Sequence, residues 1–210
     1  MLSSHIASQI YKNFGFDPTP SQKTVVERLS QFIAEAPTDR TFILNGYAGT
    51  GKTTLVAALV RTLEEMDVPA VLLAPTGRAA KVMSRYAGRK AYTIHKKIYR
   101  QKTLASAESH FSLDYNKQKN AVFIVDEASM LSNYSPDGSL FGSGQLLDDL
   151  VTYVRRGAGC RLILVGDTAQ LPPVGLEHSP ALDVQHMQGY GEAEAVLLDD
   201  VVRQDSQSGI

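Results

Sequence analysis

The sequence predicts an α/β fold, a mostly parallel central sheet flanked by helices, and three features carry that prediction. Short apolar runs alternate with segments of helical periodicity along most of the chain, a glycine-rich loop joins the first such run to an amphipathic helix, and a pair of acidic residues closes a later run. Strands buried on both faces need crossover connections, so run and helix alternate where a hairpin protein would show run and turn.

A helical lead-in at residues 3–13 precedes the turn-rich Phe14-Gly15-Phe16-Asp17-Pro18. The next helix starts where Thr19 supplies an N-cap and Pro20 the first helical position. Val25, Val26, Leu29, Phe32 and Ile33 recur at helical spacing, and Pro37-Thr38-Asp39 ends it. Residues 1–36 thus form an N-terminal helical lead-in and residues 37–210 the sheet-bearing domain. Strands are predicted at 41–45, 70–74, 121–125, 161–165 and 195–198, with helices at 52–66, 77–86 and 145–156. Two stretches break the rhythm. Residues 101–120 are polar and irregular, as in a small insertion or hairpin, and the Ser/Gly-rich residues 132–144 read as a mobile loop.

With 43% hydrophobic and 20% charged residues the chain can bury a core of ordinary globular type. No apolar run approaches the roughly 18 residues of a membrane helix, and the first residues lack the flank of a signal peptide, so a cytoplasmic protein without a membrane partner is expected. The single Cys160 lies in an apolar run and reads as a small buried hydrophobe. The five histidines show no metal-site spacing. Net charge is −1, yet residues 78–102 hold nine Lys/Arg and no acid, leaving −10 on the rest. Tyr86, Tyr92, Tyr99 and His95 are interleaved among these cations, a mixture suited to single-stranded nucleic acid, with a solvated face or flexible loop as the alternative.

Gly46-Tyr47-Ala48-Gly49-Thr50-Gly51-Lys52-Thr53 fits the pattern G-x-x-x-x-G-K-[ST] in full, with a strand before it and a helix after it. Glycines there let backbone N–H groups converge on phosphate oxygens at a helix N-terminus. Lys52 reaches the β and γ phosphates in this reading, Thr53 holds Mg²⁺ and Thr54 contacts the α-phosphate. Asp126-Glu127 closes the run at 121–125, where ligands of open α/β sheets bind. Asp126 is expected to bind Mg²⁺, and Glu127 to take a proton from an attacking water. ATP or GTP hydrolysis follows. Asn116-Lys117-Gln118-Lys119 imitates half of a guanine-reading element, but Lys119 stands where Asp is required.

Further motifs follow in order: Ala74-Pro75-Thr76-Gly77-Arg78-Ala79-Ala80, Thr93-Ile94-His95, Val125-Asp126-Glu127-Ala128-Ser129-Met130, Gly166-Asp167-Thr168-Ala169-Gln170-Leu171-Pro172-Pro173 and Val202-Arg203-Gln204. From Thr19 to Gln204 the chain resembles the first motor domain of superfamily-1 DNA helicases, most closely the RecD-like group. The resemblance implies a RecA-like P-loop NTPase fold, ATP and Mg²⁺ as cofactors, single-stranded DNA as partner, and 5′ to 3′ movement with duplex unwinding.

By that resemblance Gln22 reads adenine, although Thr19-Pro20-Ser21-Gln22 is also a capping-box pattern. Gln170 resembles the residue that senses the γ-phosphate, with a turn or capping role as the alternative. Arg203 resembles an arginine that reaches the same phosphate, with a solvated tail residue as the alternative. Thr76, Arg78, Thr93 and His95 are implied to hold the DNA backbone. His110-Phe111 fits either a strand-separating element or a loop anchor. The resemblance also implies a second motor domain that these residues do not supply, so the chain alone is expected not to unwind DNA. An RNA helicase of the same superfamily and an AAA-like ATP-dependent switch are the competing readings.

Overall fold

In the computed structural model, which describes residues 2–102, 110–133 and 141–200, the lead-in forms α1 (Leu2–Phe14) and α2 (Pro20–Glu35). Strand β1 (Thr41–Gly46) feeds the glycine-rich loop, and α3 (Lys52–Glu65) leaves it. Then come β2 (Ala70–Ala74), α4 (Gly77–Ala87), β3 (Ala91–Thr93), the one-turn α5 (Ile94–Ile98), and the hairpin strands β4 (Tyr99–Lys102) and β5 (His110–Leu113). The chain continues through β6 (Val122–Val125), α6 (Leu146–Arg155), β7 (Arg161–Gly166), α7 (Val184–Gln188) and β8 (Ala193–Leu198). Among the described residues no helix is long and apolar enough to cross a membrane.

Six strands make one sheet in the order β3-β2-β6-β7-β1-β8, and every neighbouring pair is parallel. The antiparallel pair β4-β5 stands outside it and falls partly in the polar stretch 101–120, of which residues 103–109 lie outside the described residues. Successive side chains of each central strand enter different cores. Phe42, Leu44, Ile124 and Ile163 face α1, α2 and α3, whereas Ile43, Phe123, Val125 and Leu164 face α6 and the chain around Ala181. The lead-in helices share the first of these cores through Ile6, Ile10, Leu29 and Phe32. Cys160 is free and buried, as its apolar run predicts.

The elements differ from expectation where local signals are short. β3 has three residues and α5 and α7 five each, too few for periodicity to register. The stretch 132–144 is held where it is described, because Asn133 bonds Asp148 and Tyr190 while Ser143 donates twice to Asp149. Residues 134–140 lie outside the described residues.

Candidate nucleotide and nucleic-acid site

Strands β6, β7 and β1 are adjacent and parallel, so their C-terminal ends bring Asp126, Asp167 and the glycine-rich loop to one edge of the sheet. Gly51 is the N-cap of α3 at φ 90°, a left-handed conformation that costs glycine nothing. At Gly46 a Cβ would meet Leu198 and Lys52 at 3.1 Å, so the strand end closes tightly under the loop. The Lys52 ammonium donates to the carbonyls of Gly46 (2.6 Å) and Tyr47 (2.8 Å) and stands 3.8 Å from the Asp167 carboxylate.

A cleft of about 820 Å³ opens over this edge, lined by Ala48, Gly49, Gly51, Lys52, Thr53 and Thr54 from the loop and by Glu127, Asp167, Gln170, Tyr47 and Phe16. Three expected nucleotide contacts do not line it. Gly46 is buried beneath the loop, Thr50 is fully buried with its hydroxyl donating to Tyr47 O, and Gln22 is fully buried. Gln22 completes the capping box. Its Oε1 accepts from Thr19 N–H at 2.9 Å, its own N–H donates to Thr19 Oγ1 at 3.3 Å, and its Nε2 donates to Thr50 O at 3.1 Å. The side chain thus ties the start of α2 to the glycine-rich loop.

Glu127 sits at φ 55°, left-handed for a residue with a side chain. Burial pushes its carboxyl above the usual range, the Asp126 charge adds to this, and Lys52 and a hydrogen bond with Gln170 oppose it. Gln170 also accepts from Ser129 Oγ at 3.2 Å, so its amide links the strand end after β6 to the loop after β7. Asp167, 4% exposed, accepts from Ala169 N–H. Asp167 stands in the motif Gly166-Asp167-Thr168-Ala169-Gln170, and its place after an apolar run, like that of Asp126, is the sequence signal that marks it for the site.

Asp126 is turned to a neighbouring cavity of about 240 Å³, which it lines with Thr76, Arg78, Ala79, Val82, Glu127 and Met130. Its Oδ2 accepts from Tyr86 Oη at 2.6 Å and its Oδ1 from Glu127 N–H at 2.9 Å. Burial and the adjacent carboxylate drive the Tyr86 phenol far above its ordinary pKa, so it remains a donor.

Thr76 caps α4 through Ala79 N–H, and Thr93 caps α5 through Lys96 N–H. Ala74 pairs with Thr93 in register, so the two caps lie side by side at the same sheet edge. Arg78 is exposed. His95 is half-buried against the rings of Phe141 (5.1 Å) and Tyr99 (5.7 Å), and burial lowers its pKa. The expectation that Tyr86 and Tyr99 offer their rings to bases is corrected. Both hydroxyls are bonded to carboxylates, Tyr86 to half-buried Asp126 and Tyr99 to buried Asp149 at 2.7 Å, since a carboxylate withdrawn from water needs donors. Tyr92 instead carries Lys90 and Lys97 over its ring, at 5.1 and 5.8 Å from the centroid. Phe111 stacks on Phe141 at 4.6 Å between ring centroids. Arg203 lies outside the described residues.

This geometry is that of a P-loop nucleotide site on a RecA-like sheet. The family described as AAA domain matches residues 19–210, and the chain belongs to it, within the superfamily-1, RecD-like helicase motor domains. It is 32% identical over 160 residues to the ATP-dependent RecD2 DNA helicase of Deinococcus radiodurans, covering 75% of this chain and 19% of that protein. It is 32% identical over 165 residues to the ATP-dependent DNA helicase dda of Enterobacteria phage T4, covering 75% of this chain and 33% of that one. The Pif1 helicase from Candida albicans shares the fold, with TM-score 0.55 and 18% identity over 91% of this chain and 42% of that one. The chain therefore spans between a fifth and a third of the length of these curated relatives.

Proposed function

We propose that the chain is the ATP-binding motor unit of an ATP-dependent DNA helicase that couples ATP hydrolysis to 5′ to 3′ translocation on single-stranded DNA and to unwinding. One observation carries this reading: Glu127 lines both the cleft of the glycine-rich loop and the cavity of Thr76 and Arg78, so the group suited to activate water borders the nucleotide and strand sites at once. The names of the relatives support DNA over RNA, and motor over switch.

In this reading backbone amides of the loop hold the phosphates, Lys52 leaves its carbonyl partners for the β and γ phosphates, and Glu127 accepts the proton of the attacking water. Burial raises the Glu127 carboxyl pKa, the direction that strengthens it as a proton acceptor. Gln170, bonded to Glu127 and Ser129, reports the state of that base to the loop after β7. Thr53, in the cleft, and Asp126, which lines the adjoining cavity, would offer a hydroxyl and a carboxylate, hard oxygen donors of the kind Mg²⁺ takes when it arrives bound to nucleotide phosphates. Mg²⁺ neutralises developing phosphate charge when bound. Gln22 meets adenine only by exchanging a partner it now holds, so its proposed role is to link base recognition to Thr50. Arg203 is proposed to reach the γ-phosphate.

The exposed side chains of Leu171 (89%) and Val174 (83%) beside Gln170 suit cover by a second motor domain, which would deliver a further arginine to the phosphates. A pair of variants in the protein that includes that domain tests the reading. Lys52→Ala should abolish nucleotide binding, whereas Glu127→Gln should keep binding and lose turnover by at least about a hundredfold, the scale of a general base. Equal loss of binding in both would remove the assigned roles.

A further inference from the structure

Helix α4 touches both halves of the site. Its first turn carries the Thr76 cap and Arg78, and its last turn carries Tyr86. Side chains on a helix lean toward its N-terminus, which lets a residue of the last turn reach back to the end of β6. There Tyr86 holds one oxygen of Asp126 while the Glu127 backbone holds the other. One of these two bonds therefore belongs to the sheet and the other to α4. A carboxylate oxygen has a second lone pair, so the phenol fixes rotation of the carboxylate without removing it as a ligand. The bond is partly buried and charge-assisted, which makes it costly to exchange for water. The cavity lined by Asp126 is the one lined by Thr76 and Arg78, so a displacement of the first turn of α4 and a rotation of Asp126 share one space.

We propose that Tyr86 is a positioning residue for Asp126, through which α4 transmits strand contact at Thr76 and Arg78 to the carboxylate that receives Mg²⁺ with ATP. This rests on the role proposed above for Asp126. Tyr86 lies outside every motif that carried the helicase resemblance, and its hydroxyl is what gives it this role.

Tyr86→Phe removes the hydroxyl and keeps the ring that packs beside the first core. In the 210-residue chain, a fluorescent ATP analogue titrated against Mg²⁺ and in excess chelator separates metal-dependent from metal-independent affinity. The Mg²⁺ concentration for half-maximal effect should rise roughly tenfold in Tyr86→Phe, in line with loss of a hydrogen bond to a charged group, while affinity in chelator holds. Asp126→Asn should give at least as large a shift, and the double variant no more than Asp126→Asn alone. An unmoved Mg²⁺ requirement in Tyr86→Phe, where Asp126→Asn moves it, overturns the proposal.

If Asp126→Asn itself moves nothing, the assigned Mg²⁺ role fails, and the backbone amide resonance of Glu127 judges the positioning separately. That resonance should move in Tyr86→Phe without any nucleotide. Addition of oligo(dT) should move it in the parent chain and not in Tyr86→Phe. No change in the first comparison, or equal response to the oligonucleotide in both chains, overturns the inference.

Discussion

Glu127 combines a left-handed backbone at φ 55° with a carboxyl that burial and Asp126 push toward the protonated form. A strained φ of this kind costs on the order of 1 kcal/mol or more and persists only where the surrounding structure holds it. The folded carboxyl titrates above its ordinary value of 4.5. Between those two values the folded chain binds more protons than the unfolded chain, so stability falls as pH rises through the window and stays lower above it. Glu127→Gln should therefore melt at a higher temperature than the parent chain at pH 8, with the gap narrowing as pH is lowered toward 4.5; an unchanged gap would show that the charge costs nothing. Arg78 and His95 divide differently. Arg78→Ala should weaken oligo(dT) binding and lower its salt slope by about 0.7, the value of one phosphate contact on a single strand. His95, lowered in pKa by burial, should contribute through its ring, so His95→Ala should weaken binding and leave the slope unchanged.

At the scale of elements, α2 is held at both ends. The capping box and the bond to Thr50 fix its start, and Arg161 donates to Phe32 O and Ala36 O at its end. Thr19→Ala should cost about 1 kcal/mol in denaturant unfolding, as for other N-caps, and leave the preference for ATP over GTP unaltered. Gln22→Ala tests the two roles of that residue together: a lost nucleotide preference supports base recognition, and lost stability alone leaves only the cap. Much of this was legible beforehand. Pro20, Thr19 and the helical spacing of Val25 to Ile33 named α2, and continuous apolar runs named β1, β2, β6 and β7 to within a residue at either end. The bond from Gln22 to Thr50 was not legible, because it joins residues that only the packed sheet brings together. Asp149, which binds Tyr99 and Ser143 to hold the hairpin base against α6, was hidden for the same reason. The inward turn of Tyr86 and Tyr99 escaped composition altogether, since a tyrosine among lysines reads alike whether its ring faces solvent or a carboxylate.

Over the whole molecule, one sheet edge gathers the phosphate loop, three carboxylates and two capped helix starts. The 210-residue chain should bind nucleotide and neither unwind duplex DNA nor show appreciable DNA-stimulated hydrolysis, because an arginine supplied from across a cleft is worth about 10³ to 10⁵ in phosphoryl transfer. Phosphate release and strand separation, measured for this chain and for one extended through a second motor domain, check it; robust unwinding by the short chain would show that one grip suffices. The strand order carries a consequence for how such a chain is made. β1 precedes the phosphate loop, but its two neighbours are β7 and β8, from the far end of the described chain. Contacts of such long sequence separation form late and make folding slow. During synthesis β1 therefore emerges well before β7 and β8, the two strands it pairs with. Until then Phe42, Ile43 and Leu44 have no sheet to enter, and their apolar side chains are open to wrong association.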